Sequence, residues 1–248
     1  MNISAANILI TGGARGIGNY LATSLAAKAK KVIIIDNNTT LLSEIPENIK
    51  FIKYNCDITD EPSVKATIED IYKKHGGVSV LMNNAGLIYS ELLVNPLKGE
   101  DRRHSVLNWD KVIDVNLNAV FYVTLHVAEA MIVAKNGGVI INTSSISAQG
   151  NMGQSAYAAT KAAVEALTKT WSKELAMYKI RTACIAPGFF DTPSTHQSLS
   201  ESMLTRWKKS VPLGRLGELE ELLSAVEFII RNDYFNGKIL SLDGGLTI

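Results

Sequence analysis

Residues Ile8 to Gly18 read ILITGGARGIG, an apolar run that breaks into glycines and resumes with helical apolar spacing at Ile17, Leu21, Leu25 and Ala29. That order is strand, tight turn, helix. Gly12, Gly16 and Gly18 are spaced GxxxGxG, one residue longer than the common dinucleotide fingerprint. The physics carries over: glycines permit the turn, let backbone approach a pyrophosphate, and leave the amides of the helix N-terminus free to bind it. The next apolar run, KVIIID, ends at Asp36. A carboxylate there can accept both adenosine ribose hydroxyls and repels the extra phosphate of NADP, so NAD is the expected cofactor and NADP the second choice. Arg15, inside the turn, is the counter-signal, since it could reach a 2'-phosphate; otherwise it is an exposed loop residue.

Working outward, the same alternation continues. FIKYN leads to Cys56 and Asp57, whose carboxylate could meet an adenine amino group or cap the helix expected around Pro62 to His75. SVLMN runs into Asn83, Asn84, Ala85 and Gly86, small and polar residues at a strand end, where a cofactor approaches backbone. A helix is expected from about Asn108 to Ala134, with an apolar stripe of Val112, Val115, Ala119, Val123 and Val127 and with Asn116 on its edge, either functional or bracing. GVIINTSS ends at Ser144 and Ser145; thirteen residues after Ser144 stands Tyr157, and four after that Lys161. At that spacing the phenol and the ammonium share one helical face, and the charge of Lys161 favours the phenolate, so the pair could move a proton near neutrality. A hydroxyl from Ser144 could converge with the phenol on one substrate oxygen. On the same helix Ala156, Ala159, Ala163 and Ala166 form a small-residue stripe suited to internal helix contact or to a subunit interface. RTACIA is a sixth strand, followed by Pro187, Gly188 and Thr192, and KILSLDGG closes the chain with a seventh.

Two segments interrupt the alternation. Residues 87–108 carry Lys98, Arg102, Arg103 and His104, which could meet an anionic substrate handle or only water. Residues 194–210 place Leu199, Met203 and Trp207 four apart beside basic residues, the pattern of an amphipathic lid or of a core helix.

Composition narrows the class. The chain has 248 residues, a formal net charge of +1 and 46% hydrophobic residues, without a linker, repeat or low-complexity block, so one domain over 1–248 is expected. Near neutrality argues against a nucleic-acid or anionic-membrane partner. Cys56 and Cys184 are too few for a metal site or disulfide framework and read as buried hydrophobes in a reducing compartment. The amino end lacks a basic start with a long apolar run and no stretch reads as a membrane span, which points to a cytoplasmic location.

Taken together and in order, TGGARGIG, Asp36, Asp57, NNAG, Asn116, Ser144, YAATK and PGFFDT resemble the short-chain dehydrogenase/reductase family over nearly the whole chain. The resemblance implies a single-domain α/β Rossmann fold, a seven-stranded parallel sheet with helices on both faces, a nicotinamide cofactor, and a homotetramer built through the two long helices. It implies Tyr157 as acid/base, Lys161 as the residue that binds the nicotinamide ribose and lowers the phenol pKa, Ser144 as holder of the substrate oxygen, and Asn116 as support for a water-linked relay. The implied cofactor contacts are Gly12, Arg15, Gly16, Ile17, Gly18, Asp36, Asp57, Ile58, Asn84, Ala85, Gly86, Tyr157, Lys161, Pro187, Gly188 and Thr192. Two branches are similar: 3-oxoacyl-[acyl-carrier-protein] reductases, through GNMGQSAYAATKAA and the closing DGG, and type-2 3-hydroxyacyl-CoA dehydrogenases, through NPLKG, CIAPGFFDTP and FIIRNDYFNGKILSLDGG. Asp36 favours the second, an NAD-dependent oxidation of a 3-hydroxyacyl thioester. A nicotinamide-binding sensor or scaffold without turnover is the reading from another class, and the retention of Tyr157 and Lys161 argues against it.

Overall fold

Strand residues that are apolar on both sides have to be covered on both sides, and the computed structural model, which describes residues 1–46, 50–192 and 201–247, shows how. Seven strands form one sheet: β1 Asn7–Thr11, β2 Lys31–Asp36, β3 Phe51–Asn55, β4 Val80–Asn83, β5 Gly138–Thr143, β6 Ile180–Pro187 and β7 Lys238–Leu242. Their order is β3-β2-β1-β4-β5-β6-β7, every neighbouring pair parallel. The expected Rossmann architecture is therefore present.

Alternation along the strands splits the core in two. Ile8, Ile10 and Ile34 join Leu21 and Leu25 of α1 (Gly16–Ala26) and Val226 and Ile229 of a late helix on one face. Leu9, Ile33 and Ile35 join Ile68 and Ile71 of α3 (Glu61–His75) and Val123, Val127 and Met131 of α5 (Ala119–Ala134) on the other. Each such fully buried side chain contributes on the order of 1.5–3 kcal/mol of transfer free energy. The short α2 is Thr39–Glu44, and α4 is Val106–Ile113. The long helix at the chain's middle is α6, Ser155–Glu174; α7 is Glu201–Ser210; and the late helix, α8, is Leu219–Arg231, begun by a capping box between Glu218 and Glu221.

Two expectations need correction. The helix expected from Asn108 begins at Val106 and is interrupted at Asp114–Asn118 by a wide π-type turn. The extra residue in that turn rotates the stripe, so that Asn116, 0% exposed, points inward while Val115 is only half-buried. The run Val106–Ala134 also contains an 18-residue window with a mean hydropathy of 1.6, long and apolar enough to cross a membrane by length and composition, contrary to the reading that no stretch comes near a span. Its apolar residues Val123, Val127 and Met131 are those packed on the sheet.

Of the lid expected over 194–210, Leu199 and its neighbours lie outside the described residues; the rest is α7, with the Trp207 ring against Phe189. Cys56 and Cys184 are free and buried.

Candidate active site

The sheet order reverses between β1 and β4, and the crevice at the carboxyl ends of these strands is where such sheets bind ligands. Two glycines fix its floor. A Cβ on Gly12, whose φ is +64°, would sit 2.8 Å from the Ala85 Cα, and one on Gly18 would sit 2.2 Å from the Gly12 carbonyl oxygen. No side chain fits either place. The turn after β4 is tied to the turn after β1: the Thr11 hydroxyl accepts the Asn84 and Ala85 amides at 3.1 and 3.2 Å, and Asn84 Nδ2 donates to the Thr11 and Gly12 carbonyls at 3.1 and 3.2 Å. Ile17, at the start of α1, is partly buried against the first core, while Gly16 has open space where a side chain would stand.

At the end of β2 the Asp36 carboxylate accepts the Ala14 amide at 3.1 Å and the Asn38 amide at 3.0 Å. It is thereby held over the glycine turn with lone pairs to spare. Arg15 is exposed and makes no capping bond to α1. Asp57 accepts the Thr59 amide at 2.9 Å and its hydroxyl at 2.8 Å, a local turn and not the cap of α3, whose N-cap position is Asp60, with Ile58 half-buried beside it against the second core.

On the other side of the crevice Gly86, Asn116 and Lys161 converge: a Cβ on Gly86 would be 3.4 Å from Asn116 Oδ1 and 3.6 Å from Lys161 Nζ. The Asn116 amide is spent on the Leu87 backbone, accepting its N–H at 2.7 Å and donating to its carbonyl at 2.8 Å. Bracing accounts for this side chain; a relay would have to use the backbone of the π-type turn. Lys161 donates to the Thr143 carbonyl at 2.7 Å and lies 5.5 Å from the centre of the Tyr157 ring. Burial pulls its pKa down to about 8. The Tyr157 phenol is pushed above its ordinary value by burial, and a hydrogen bond with Ser145 acts against that rise. Burial sets the direction of the phenol's shift here, and the Lys161 ammonium is turned towards the Thr143 carbonyl.

The serine assignment is corrected as well. The Ser144 hydroxyl faces away from the crevice, 2.9 Å from the Glu165 carboxylate and 3.1 Å from the Lys161 carbonyl, and the residue is 2% exposed. Ser145, one residue on, is the serine that meets Tyr157. Successive residues leaving a strand point to opposite sides, so counting thirteen residues back from Tyr157 selects the wrong hydroxyl. The signal for Ser145 lay in the strand: measured forward from Asn142, paired with Asn83 across β4 and β5, parity separates the two serines. Glu165, one turn beyond Lys161, was not singled out from sequence at all.

At the end of β6, Gly188 passes so near β7's exit that a Cβ would be 2.9 Å from the Asp243 Cα. Its amide donates to the Leu242 carbonyl at 2.8 Å, just after Pro187, the last residue of the strand, and Thr192 beyond it is buried. A separate hollow of about 570 Å³, lined by Gly137, Lys179, Arg181 and Asn236 among others, lies where β5 and β6 begin, at the other end of the sheet, and belongs to no part of this site.

The chain matches the family described as short chain dehydrogenase over residues 6–202. It is 38% identical to the 3-oxoacyl-[acyl-carrier-protein] reductase FabG of Thermotoga maritima over 100% of both chains. It is 34% identical to the FabG of Chlamydia muridarum over 96% of both chains, and 34% identical to that of Escherichia coli over 99% of both. With the parallel sheet, the glycine turn and the Ser145, Tyr157 and Lys161 constellation at its carboxyl edge, these matches establish that the chain belongs to the short-chain dehydrogenase family.

Proposed function

We propose that the protein reduces 3-oxoacyl thioesters with a reduced nicotinamide cofactor, and that it prefers NADH. The observation that carries the reading is Ser145, Tyr157 and Lys161 gathered beside the glycine turn. The relatives carry the name of 3-oxoacyl-[acyl-carrier-protein] reductases, so reduction of such a thioester replaces oxidation of a 3-hydroxyacyl-CoA as the favoured reaction.

The residues fit the cofactor. The floor without room for a Cβ at Gly12 and Gly18 suits a pyrophosphate against backbone, and Asp36 suits an unphosphorylated adenosine ribose. Gly86, Lys161 and Thr192 would border the nicotinamide half. The cofactor supplies the hydride that forms the new carbon–hydrogen bond. The chain supplies the proton and the geometry. Ser145 orients the carbonyl oxygen, and Tyr157 gives that oxygen its proton as the carbonyl π bond opens. Lys161, when charged, favours the phenolate left behind. A phenol kept protonated by burial is in the state that reduction needs. Proton donation and positioning each supply several powers of ten in rate.

Assembly belongs to the same reading. Ala159 and Ala166 on α6 are exposed, as are Phe121 and Leu125 on α5, which supports a homotetramer formed through these helices. A cytoplasmic location goes with it.

The test is turnover followed by loss of the reduced-nicotinamide absorbance, with acetoacetyl-[acyl-carrier-protein] and acetoacetyl-CoA, each with NADH and NADPH. We expect turnover with both thioesters and a higher kcat/KM with NADH. Preference for NADPH would put Arg15 ahead of Asp36, and no turnover would remove the thioester reading.

A further inference from the structure

The segment 87–105, between Gly86 and α4, was open to two readings from sequence, with its cations meeting either a substrate or water. The structure gives three of them partners within the segment, while Arg103 stands in solvent, its side chain 88% exposed and 4.0 Å from Asp101. Lys98 pairs with Glu91, Arg102 Nε donates to the Lys98 and Gly99 carbonyls at 3.2 Å each, and His104 Nδ1 donates to the Glu91 carbonyl at 3.0 Å. Backbone bonds from Asn95 to Arg102 (2.7 Å) and from His104 to Leu93 (2.9 Å) make a small hairpin.

Glu91 is the knot of this hairpin. One carboxylate accepts the Tyr89 hydroxyl at 2.9 Å, the Ser105 amide at 2.7 Å and the Lys98 ammonium. It therefore joins the entry, the tip and the exit of the segment, and Ser105 in turn caps α4 by accepting the Asn108 amide at 3.2 Å. The bond to Lys98, with those to Ser105 and Tyr89, holds the Glu91 carboxyl down at about 2. The knot is also fastened to the stretch between Ser145 and Tyr157: the Glu91 amide donates to the Gly153 carbonyl at 2.7 Å, and Gln154 Nε2 donates to the Ser90 hydroxyl at 3.2 Å. Beside the exposed Asp101 and Arg103, this region also shows solvent apolar side chains, Leu93, Leu97 and Met152 at 71%, 95% and 87% exposure.

We propose that Glu91 is a positioning residue, whose carboxylate clasps residues 87–105 against Gly153 and Gln154 to form the wall that holds the acyl chain of the substrate over Tyr157. The proposal rests on the thioester reading above and gives the wall an apolar occupant in place of an anionic handle.

The test compares wild type, Glu91→Ala and Glu91→Gln on acetoacetyl-CoA, with nucleotide affinity and amide hydrogen exchange measured on the same samples. Misplacing a substrate wall weakens binding more than chemistry, so Glu91→Ala should raise KM at least about tenfold, with kcat within about threefold and nucleotide Kd unchanged. The amides of Asn95, His104 and Ser105 should lose protection. Glu91→Gln, which keeps acceptors for Tyr89 and Ser105 without the ion pair, should fall between the two. If wild type turns over the thioester and Glu91→Ala leaves KM unchanged, whether or not the hairpin loosens, the proposal is overturned. A joint loss of kcat, KM and nucleotide affinity would mark a folding role and overturn it too. No turnover by wild type would overturn the thioester reading, and the proposal would fall with it.

Discussion

Replacing Lys161 by methionine should stabilise the protein while destroying its activity. Lys161 is fully buried, and burial lowers its pKa from 10.5 to about 8. A drop of that size corresponds to roughly 3 kcal/mol held against the folded state, at about 1.36 kcal/mol per pKa unit. The variant leaves the Thr143 carbonyl without the 2.7 Å bond it accepts from Lys161, which costs about 1–3 kcal/mol. A net gain of up to about 2 kcal/mol near neutral pH remains. The sign follows from proton counting. Between the folded value near 8 and the unfolded value near 10.5, the unfolded chain binds more protons. Wild-type stability therefore rises with pH through that window relative to the variant. The penalty is complete below the folded value and gone above the unfolded one. Urea denaturation of both proteins at about pH 7 and about pH 10 reads the difference through the midpoints. Methionine should win at the lower pH, and the gap should close at the higher. A variant that is less stable at neutral pH, with a gap indifferent to pH, would refute the claim that Lys161 is held against a desolvation cost.

Three other outcomes follow from the site. The kcat for reduction should fall as pH rises past about 8, where Lys161 loses the charge that favours the phenolate, and Lys161→Arg should move that fall upward; a flat profile to pH 10 would count against the role. Asp36→Ala should lower kcat/KM for NADH and raise it for NADPH, each by about tenfold, as expected for removing a ribose acceptor and its repulsion of a phosphate; an unchanged ratio would mean Asp36 does not read the ribose. Gly18→Ala puts a Cβ 2.2 Å from the Gly12 carbonyl, and nucleotide affinity measured by titration should fall by roughly a hundredfold or more.

What was legible in the sequence was what repeats with a period or rests on backbone need. The seven strands and the glycine turn were readable because apolar runs, turn glycines and strand ends are local signals. What escaped depended on one residue of phase. The π-type turn at Asp114–Asn118 moved Asn116 from the edge of a stripe into the core, and no periodicity shows such an insertion beforehand. The same phase error chose Ser144 over Ser145, since spacing to Tyr157 ignores which side of the strand each residue leaves. The cations of residues 87–105 were visible, but Glu91, the partner of Lys98 and His104, was not, because closing a hairpin onto Gly153 is a tertiary event.

The most direct test of the site is the kcat for acetoacetyl thioester reduction by Ser144→Ala and Ser145→Ala, measured side by side. Removing the hydroxyl that meets Tyr157 should lower kcat by about a hundredfold or more, with nucleotide affinity retained. Removing the one turned towards Glu165 should leave kcat within about tenfold of wild type. The opposite ranking would contradict the placement of Ser145 at the reacting oxygen.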